Sequence, residues 1–148
     1  MQEPEPRLFT LSEAERTRAE VEPVLVQAIE ARRRLAEVDE SLAAIAARIQ
    51  ISGGVQIPLE RAARLRAERD KLFESLRQAI ERIHATGCLV KDLEMGLLDF
   101  PARIRDEDVY LCWRLGEDRI RFYHRQDEGF AGRKPLDPRD AGFEPPVH

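Results

Sequence analysis

From Val21 onward, apolar residues recur at alternating spacings of three and four: Val21, Val24, Ala28, Ala31, Leu35, Val38, Leu42, Ile45 and Ile49. This is a heptad pattern with apolar a and d positions, and charged residues such as Arg32, Arg33, Arg34, Glu37 and Glu40 fill the intervals. It predicts a long amphipathic helix. Thr10 with Glu13 fits a capping box at its start, and Ser12 with Glu15 repeats the same chemistry two residues on. Phe9 is placed to act as a hydrophobic staple. Pro23 has no amide to donate and crowds the preceding turn, so a kink or a fresh start is expected near Glu22. Ser52-Gly53-Gly54 reads as a helix stop, and Pro58 suits the first turn of a second helix. The stripe of that helix runs Ala62, Leu65, Leu72, Leu76, Ala79 and Ile83, interrupted by Arg69, and Gly87 ends it. Two helices of about 28 residues, each roughly 40 Å long, make an antiparallel coiled-coil hairpin. The additional apolar positions Leu25, Ile29, Phe73 and Ile80 call for a further partner, either a sheet or a second subunit.

The second half of the chain changes period. Val109, Leu111, Trp113 and Leu115 alternate with Tyr110, Cys112 and Arg114, and beyond Gly116-Glu117 the residues Ile120, Phe122 and His124 alternate with Arg119, Arg121 and Tyr123. A two-residue loop beginning with glycine predicts a type II′ hairpin. Its register would pair Trp113 with Ile120, Leu111 with Phe122 and Val109 with His124, which puts the apolar set and His124 on one face. Residues 88–91 and 96–100 read as two further short strands, with Pro101 at an edge or a strand end. Beyond Arg125 an extended arm is expected, and the final Glu144-Pro-Pro-Val-His148 has little reason to be ordered.

Charge sharpens this division. The 148 residues carry 28 acids and 24 bases, 21 of them arginine, for a net charge of -4. Residues 10–86 balance 13 acids against 13 bases, whereas residues 87–148 hold 13 acids and 10 bases. The helical half is therefore neutral, and nucleic acid is a disfavoured partner. Arg32, Arg33, Arg34, Arg61, Arg64, Arg66, Arg69 and Lys71 are interleaved with acids, while phosphate binding needs uncompensated positive charge. No apolar run approaches the ~18 residues of a membrane span. The acidic Met1-Gln-Glu-Pro-Glu-Pro start does not resemble a secretory signal. Only Cys88 and Cys112 are present, without a disulfide framework, and a reduced, cytoplasmic setting is expected.

Candidate chemistry gathers in the second half. His124 with Asp92 and Asp99 could hold a divalent ion such as zinc, manganese or iron. A single histidine without His-x-His spacing favours instead a ring that donates to one of the carboxylates, and a general acid–base pair is a third reading. Cys112 faces away from Trp113 and would have Arg121 across the strand, an arginine that favours thiolate and so a nucleophile. A small half-buried thiol is the simpler reading. Lys91, Glu117 and Arg133 suit either recognition of a phosphate or carboxylate ligand or a structural ion-pair network. The arm Gly129-Phe-Ala-Gly-Arg133 could close over a pocket, although wrapping a partner subunit is favoured.

The series Lys91-Asp92, Gly96-Leu-Leu-Asp99-Phe-Pro101, Leu111-Cys112-Trp113, Glu117, Tyr123-His124 and Gly129-Phe-Ala-Gly-Arg133 follows the hairpin and the opening Phe9-Thr10-x-x-Glu13-Ala14. Taken together these resemble the bacterial family catalogued as domain of unknown function 2203, in which tryptophan is more usual at the position of Tyr123. The resemblance spans most of the chain and implies the layout, without an established activity, substrate or catalytic residue.

The expected architecture is α+β and a single domain: a helical hairpin over 10–86, a small antiparallel sheet over 87–125, and an arm and tail over 126–148. The leading functional expectation is a non-enzymatic, homodimeric interaction or scaffold module that associates through the hairpin. The alternative is a small-molecule or metal-binding enzyme with its pocket at the sheet, formed by Asp92, Asp99, His124, Lys91 and Arg133. No resident cofactor is expected, and a divalent metal is the one the residue types allow.

Overall fold

The computed structural model describes residues 7–53 and 58–136. The order of elements is α1 (Leu11–Ser52), α2 (Leu59–Ala85), β1 (Leu89–Asp92), β2 (Leu97–Ile104), β3 (Glu107–Arg114), β4 (Phe122–Arg125), a 3-10 turn over Phe130–Gly132 and β5 (Lys134–Pro135). The two helices pack against each other, and the strands form one antiparallel five-stranded sheet in sequence order, so the fold is α+β. Among the described residues two compact units emerge, one comprising residues 7–25 with 80–136 and the other those within 26–79. The boundary between these units falls inside both helices. Gly54 and the tail beyond residue 136 lie outside the described residues. Among those described, no helix is long and apolar enough to cross a membrane.

The capping box predicted at Thr10 is present. The Glu13 amide donates to Thr10 Oγ1 at 3.1 Å, and the Thr10 amide donates to Glu13 Oε1 at 3.0 Å. Helix α1 then runs without a break through Pro23, so the expected fresh start does not occur, and its 42 residues exceed the expected length. In the sheet-bearing unit its first turns lie on one face of the sheet. Phe9 meets Phe100 edge-on with ring centroids 5.4 Å apart, and the Arg18 guanidinium lies over Trp113 at 5.6 Å. That face is a buried layer of Leu98, Phe100, Ala102, Ile104, Val109, Leu111 and Trp113, and Leu25 and Ile83 of the helices in the same unit are buried as well. Leu25, one of the positions expected to need a further partner, is fully buried within the chain. Gly87, at φ +96, closes α2 where a Cβ would press on Arg7 and Phe9, which explains the glycine.

Strands β2 and β3 are longer than expected because they are joined by a tight turn, Arg105-Asp106, with φ of 51° and 65°. The pair Ile104↔Glu107 closes a two-residue loop of the type I′ kind. Pro101 sits inside β2 rather than at its end. Its carbonyl accepts the Phe9 amide at 2.7 Å, so its main chain faces away from β3 and the missing N–H costs no ladder bond.

The predicted register of the β3–β4 hairpin is corrected. Tyr110 pairs with His124, Leu111 with Tyr123 and Cys112 with Phe122, one residue away from the expected alignment. The connection is not the two-residue Gly116-Glu117 turn but the whole of residues 115–121. Competing bonds hold that longer loop. The Glu117 carboxylate accepts the Arg114 amide at 2.6 Å, Trp113 Nε1 donates to the Glu117 carbonyl at 3.1 Å, and Glu15 of α1 accepts the Ile120 amide. Ile120 is buried outside any strand. A slip of one residue exchanges the faces, so His124 leaves the Trp113 face and joins Cys112. The expected arm also folds back, with the Phe130–Gly132 turn leading into β5, which pairs with β4 through Phe122↔Pro135 and Tyr123↔Lys134.

In the unit of residues 26–79, Ala28, Ala31, Val38, Ile45, Ala62 and Ala79 are buried along the seam. Leu35, Leu42, Ile49, Leu65, Leu72 and Leu76 are only half-buried, and Phe73 is 61% exposed. Arg34 reaches across to Glu68 at 2.5 Å, and Arg69 to Asp39 at 2.8 Å.

Candidate functional site

The sheet face opposite Trp113 is built from Leu97, Asp99 and Pro101 of β2, Tyr110 and Cys112 of β3, and Phe122 and His124 of β4. Direct pairing of Asp99 with Cys112, and of Phe122 with Cys112, places Asp99, Cys112 and His124 together. Their side-chain nitrogen, sulfur and oxygen atoms lie within 4.8 Å of one another, and all three residues are buried. His124 Nε2 stands 3.1 and 3.2 Å from the two Asp99 carboxylate oxygens, while its Nδ1 stands 2.8 Å from the Arg125 carbonyl.

Both ring nitrogens therefore face oxygen. A carbonyl can only accept, so Nδ1 carries a proton and donates it to Arg125. Between Nε2 and the carboxylate one further proton must be shared, either as imidazolium with carboxylate or as neutral imidazole with carboxylic acid. Burial pushes the Asp99 carboxyl above its ordinary value; the neighbouring His124 and Lys91 and the hydrogen bond with Cys112 pull the other way. The Cys112 thiol is pushed up to about 12, first by burial and then by the Asp99 charge, with Arg133 opposing. Its thiol donates to the Asp99 carboxylate, which stabilises the protonated form. This environment favours the simpler reading of a shielded thiol over an activated thiolate. Phe122, not Arg121, is its neighbour across the strand, and desolvation outweighs the available cation. Cys88 is also buried, and burial followed by the Asp99 charge raises its thiol as well.

The other candidates lie elsewhere. Asp92 Oδ1 accepts the Met95 amide at 2.9 Å and so shapes the turn between β1 and β2. It does not join the metal-capable group found among the described residues, where Cys112 takes the place expected of it. Lys91 is exposed at a register irregularity between Val90 and Asp92 and reaches Asp99 only through its charge. Arg133 and Glu117 do meet, at 2.6 Å. The Arg133 guanidinium lies 4.1 Å from the centre of the Phe122 ring and 4.6 Å from that of Phe130, and it donates to the Cys112 carbonyl at 3.4 Å. These contacts tie the Gly129–Arg133 arm to β3 and β4, and Lys91 takes no part in them. Phe130 anchors the arm as its aromatic character suggests, whereas sequence reasoning missed the part played by Phe122 and by Tyr110, whose ring is 5.5 Å from that of His124. Period-two counting from Cys112 did contain the signal for Tyr110.

The chain thus combines a paired-helix hairpin with a five-stranded antiparallel sheet that carries a buried Asp–Cys–His group. The profile described as "Uncharacterized conserved protein (DUF2203)" matches residues 7–136, and the chain belongs to that family. No curated protein and no solved structure matches it.

Proposed function

We propose that the protein is a homodimeric assembly module whose helical hairpin supplies the association surface. The observation that supports this most is the incomplete burial within residues 26–79. Six heptad leucines and isoleucines remain half-buried, and Phe73 stands beside them largely in solvent. Two helices can each cover only one stripe of the other, and a broader apolar surface is stabilised by a further element. A second copy suits it, because residues 10–86 carry no net charge and would not repel their own image. Light scattering on the untagged protein at micromolar concentration is expected to give twice the 17.0 kDa chain mass. Phe73→Glu is expected to yield a folded monomer, judged by circular dichroism. A monomeric wild-type protein would overturn the reading.

A small-molecule or metal-binding enzyme is the second reading, favoured by the convergence of Asp99, Cys112 and His124 in one buried group. It predicts that His124→Ala abolishes ligand binding while leaving the solution mass unchanged.

A further inference from the structure

We propose that Asp99, Cys112 and His124 form a binding site for one divalent transition-metal ion, with zinc the ion that fits best. The inference rests on the second functional reading and gives it a specific ligand; it does not depend on association through the hairpin.

The donor set comes first. Imidazole nitrogen, thiolate sulfur and carboxylate oxygen together match zinc and its borderline-soft neighbours, whereas magnesium and calcium take oxygen alone. Geometry comes second. Ligand atoms around tetrahedral zinc lie ~2.0–2.3 Å from the ion and hence about 3.5 Å from one another. His124 Nε2 and the Asp99 oxygens already stand 3.1 and 3.2 Å apart, and all three donors fall within 4.8 Å. The Cys112 sulfur belongs to that same buried group, on a residue paired directly with Asp99.

The outer shell is a separate observation. Metal-ligating histidines nearly always donate their other ring nitrogen to a carbonyl or carboxylate, which fixes the tautomer and aims the free lone pair. His124 Nδ1 makes that bond to the Arg125 carbonyl at 2.8 Å, which leaves Nε2 to face the other two donors. The Arg133 contact with the Cys112 carbonyl steadies the strand that carries the sulfur.

Charge settles the oxidation class. A divalent ion with one thiolate and one carboxylate is neutral overall, the state a site with residues at 1–2% exposure tolerates best. Entry of the ion displaces two protons to the buffer, one from the Cys112 thiol and one shared by Asp99 and His124. No bond is oxidised or reduced. Three protein ligands leave a fourth position for water or a small anion.

The test uses full-length untagged protein, stripped with chelator and titrated separately with zinc and cobalt(II) ions. One equivalent of zinc is expected to bind, with two protons released per ion in weakly buffered solution. Cobalt is expected to show a sulfur-to-metal charge-transfer band together with tetrahedral ligand-field bands. Cys112→Ser should abolish the charge-transfer band and weaken zinc binding at least ~100-fold, while Cys88→Ser should retain both. If Asp99→Ala or His124→Ala fails to fold, Cys112→Ser with a cooperative melting transition remains the deciding variant. Folded wild-type protein that takes up no stoichiometric zinc would overturn the site, as would an unchanged cobalt spectrum in Cys112→Ser. Tight zinc binding in a protein that turns over no substrate would sustain the site and count against the enzyme reading alone.

Discussion

Arg34 and Glu68 meet across the hairpin with 46% and 38% of their side chains in water, whereas Asp99 and His124 meet inside the sheet unit with 1% of each exposed. Both are short contacts between oppositely charged residue types, yet their energetics differ. In the hairpin, solvent screens the pair and takes over when one partner is lost. In the sheet unit, water cannot replace a missing partner, and a buried polar group left alone carries its full desolvation cost. Numerous arginine–glutamate pairs therefore say little about what holds the helices, while one buried pair constrains three strands.

The contrast can be broken in graded steps. The largest effect is expected at the layer between sheet and helix. Trp113→Ala, at a fully buried position, should lose about 3–5 kcal/mol in denaturant unfolding. Next comes Asp99→Ala, which leaves His124 Nε2 buried without its partner and should cost about 3 kcal/mol; Asp99→Asn, which keeps a polar partner in place, should cost less. A pH-dependent effect, smaller than these at mildly alkaline pH, belongs to Cys112 in chelator-treated protein. Its thiol rises from 9.0 to about 12 on folding, so the folded state prefers the protonated form. The stability this contributes is intact below pH ~9 and is lost as pH climbs through that value toward 12. Cys112→Ser should flatten the alkaline slope of a stability–pH profile. Smaller still, Asp106→Gly should raise stability by about 0.5 kcal/mol, because φ of 65° suits glycine and the second position of a type I′ turn favours it. At the bottom of the scale, Glu68→Ala should leave the melting midpoint unchanged within error. A large loss there would show that the hairpin depends on its charges after all.

The same contrast explains what could be read from the chain beforehand. Helical residues announce themselves locally, and Thr10, Glu13 and the heptad from Val21 to Ile49 all report on neighbours within four positions. The sheet depends on residues far apart. Glu15, about a hundred positions away, holds the Ile120 amide and helps to defeat the glycine turn at Gly116. Arg105-Asp106 adopts left-handed geometry with no glycine or asparagine to signal it, so the strands it joins looked shorter than they are. These two events set the register, and the register decides which side chains share a face. His124 and Asp99 were legible as candidates by residue type. The addition of Cys112 and the departure of Asp92 follow from the register and from a turn hydrogen bond, neither of which leaves a periodic trace.

The bond from Phe9 to Pro101 has a consequence for how this sheet avoids unwanted company. β1 pairs with β2 only as far as Asp99, which leaves the outer rim of β2 unmatched from Phe100 onward. An open strand rim of that kind is a template on which another chain can add itself. Here the first described residues occupy the position. Phe9 takes the Pro101 carbonyl and packs its ring on Phe100, and Pro101 offers an incoming strand no donor. Phe9 thus acts as a guard against sheet-to-sheet growth, and deleting the chain through Phe9 is expected to produce concentration-dependent aggregates before it produces any loss of helix.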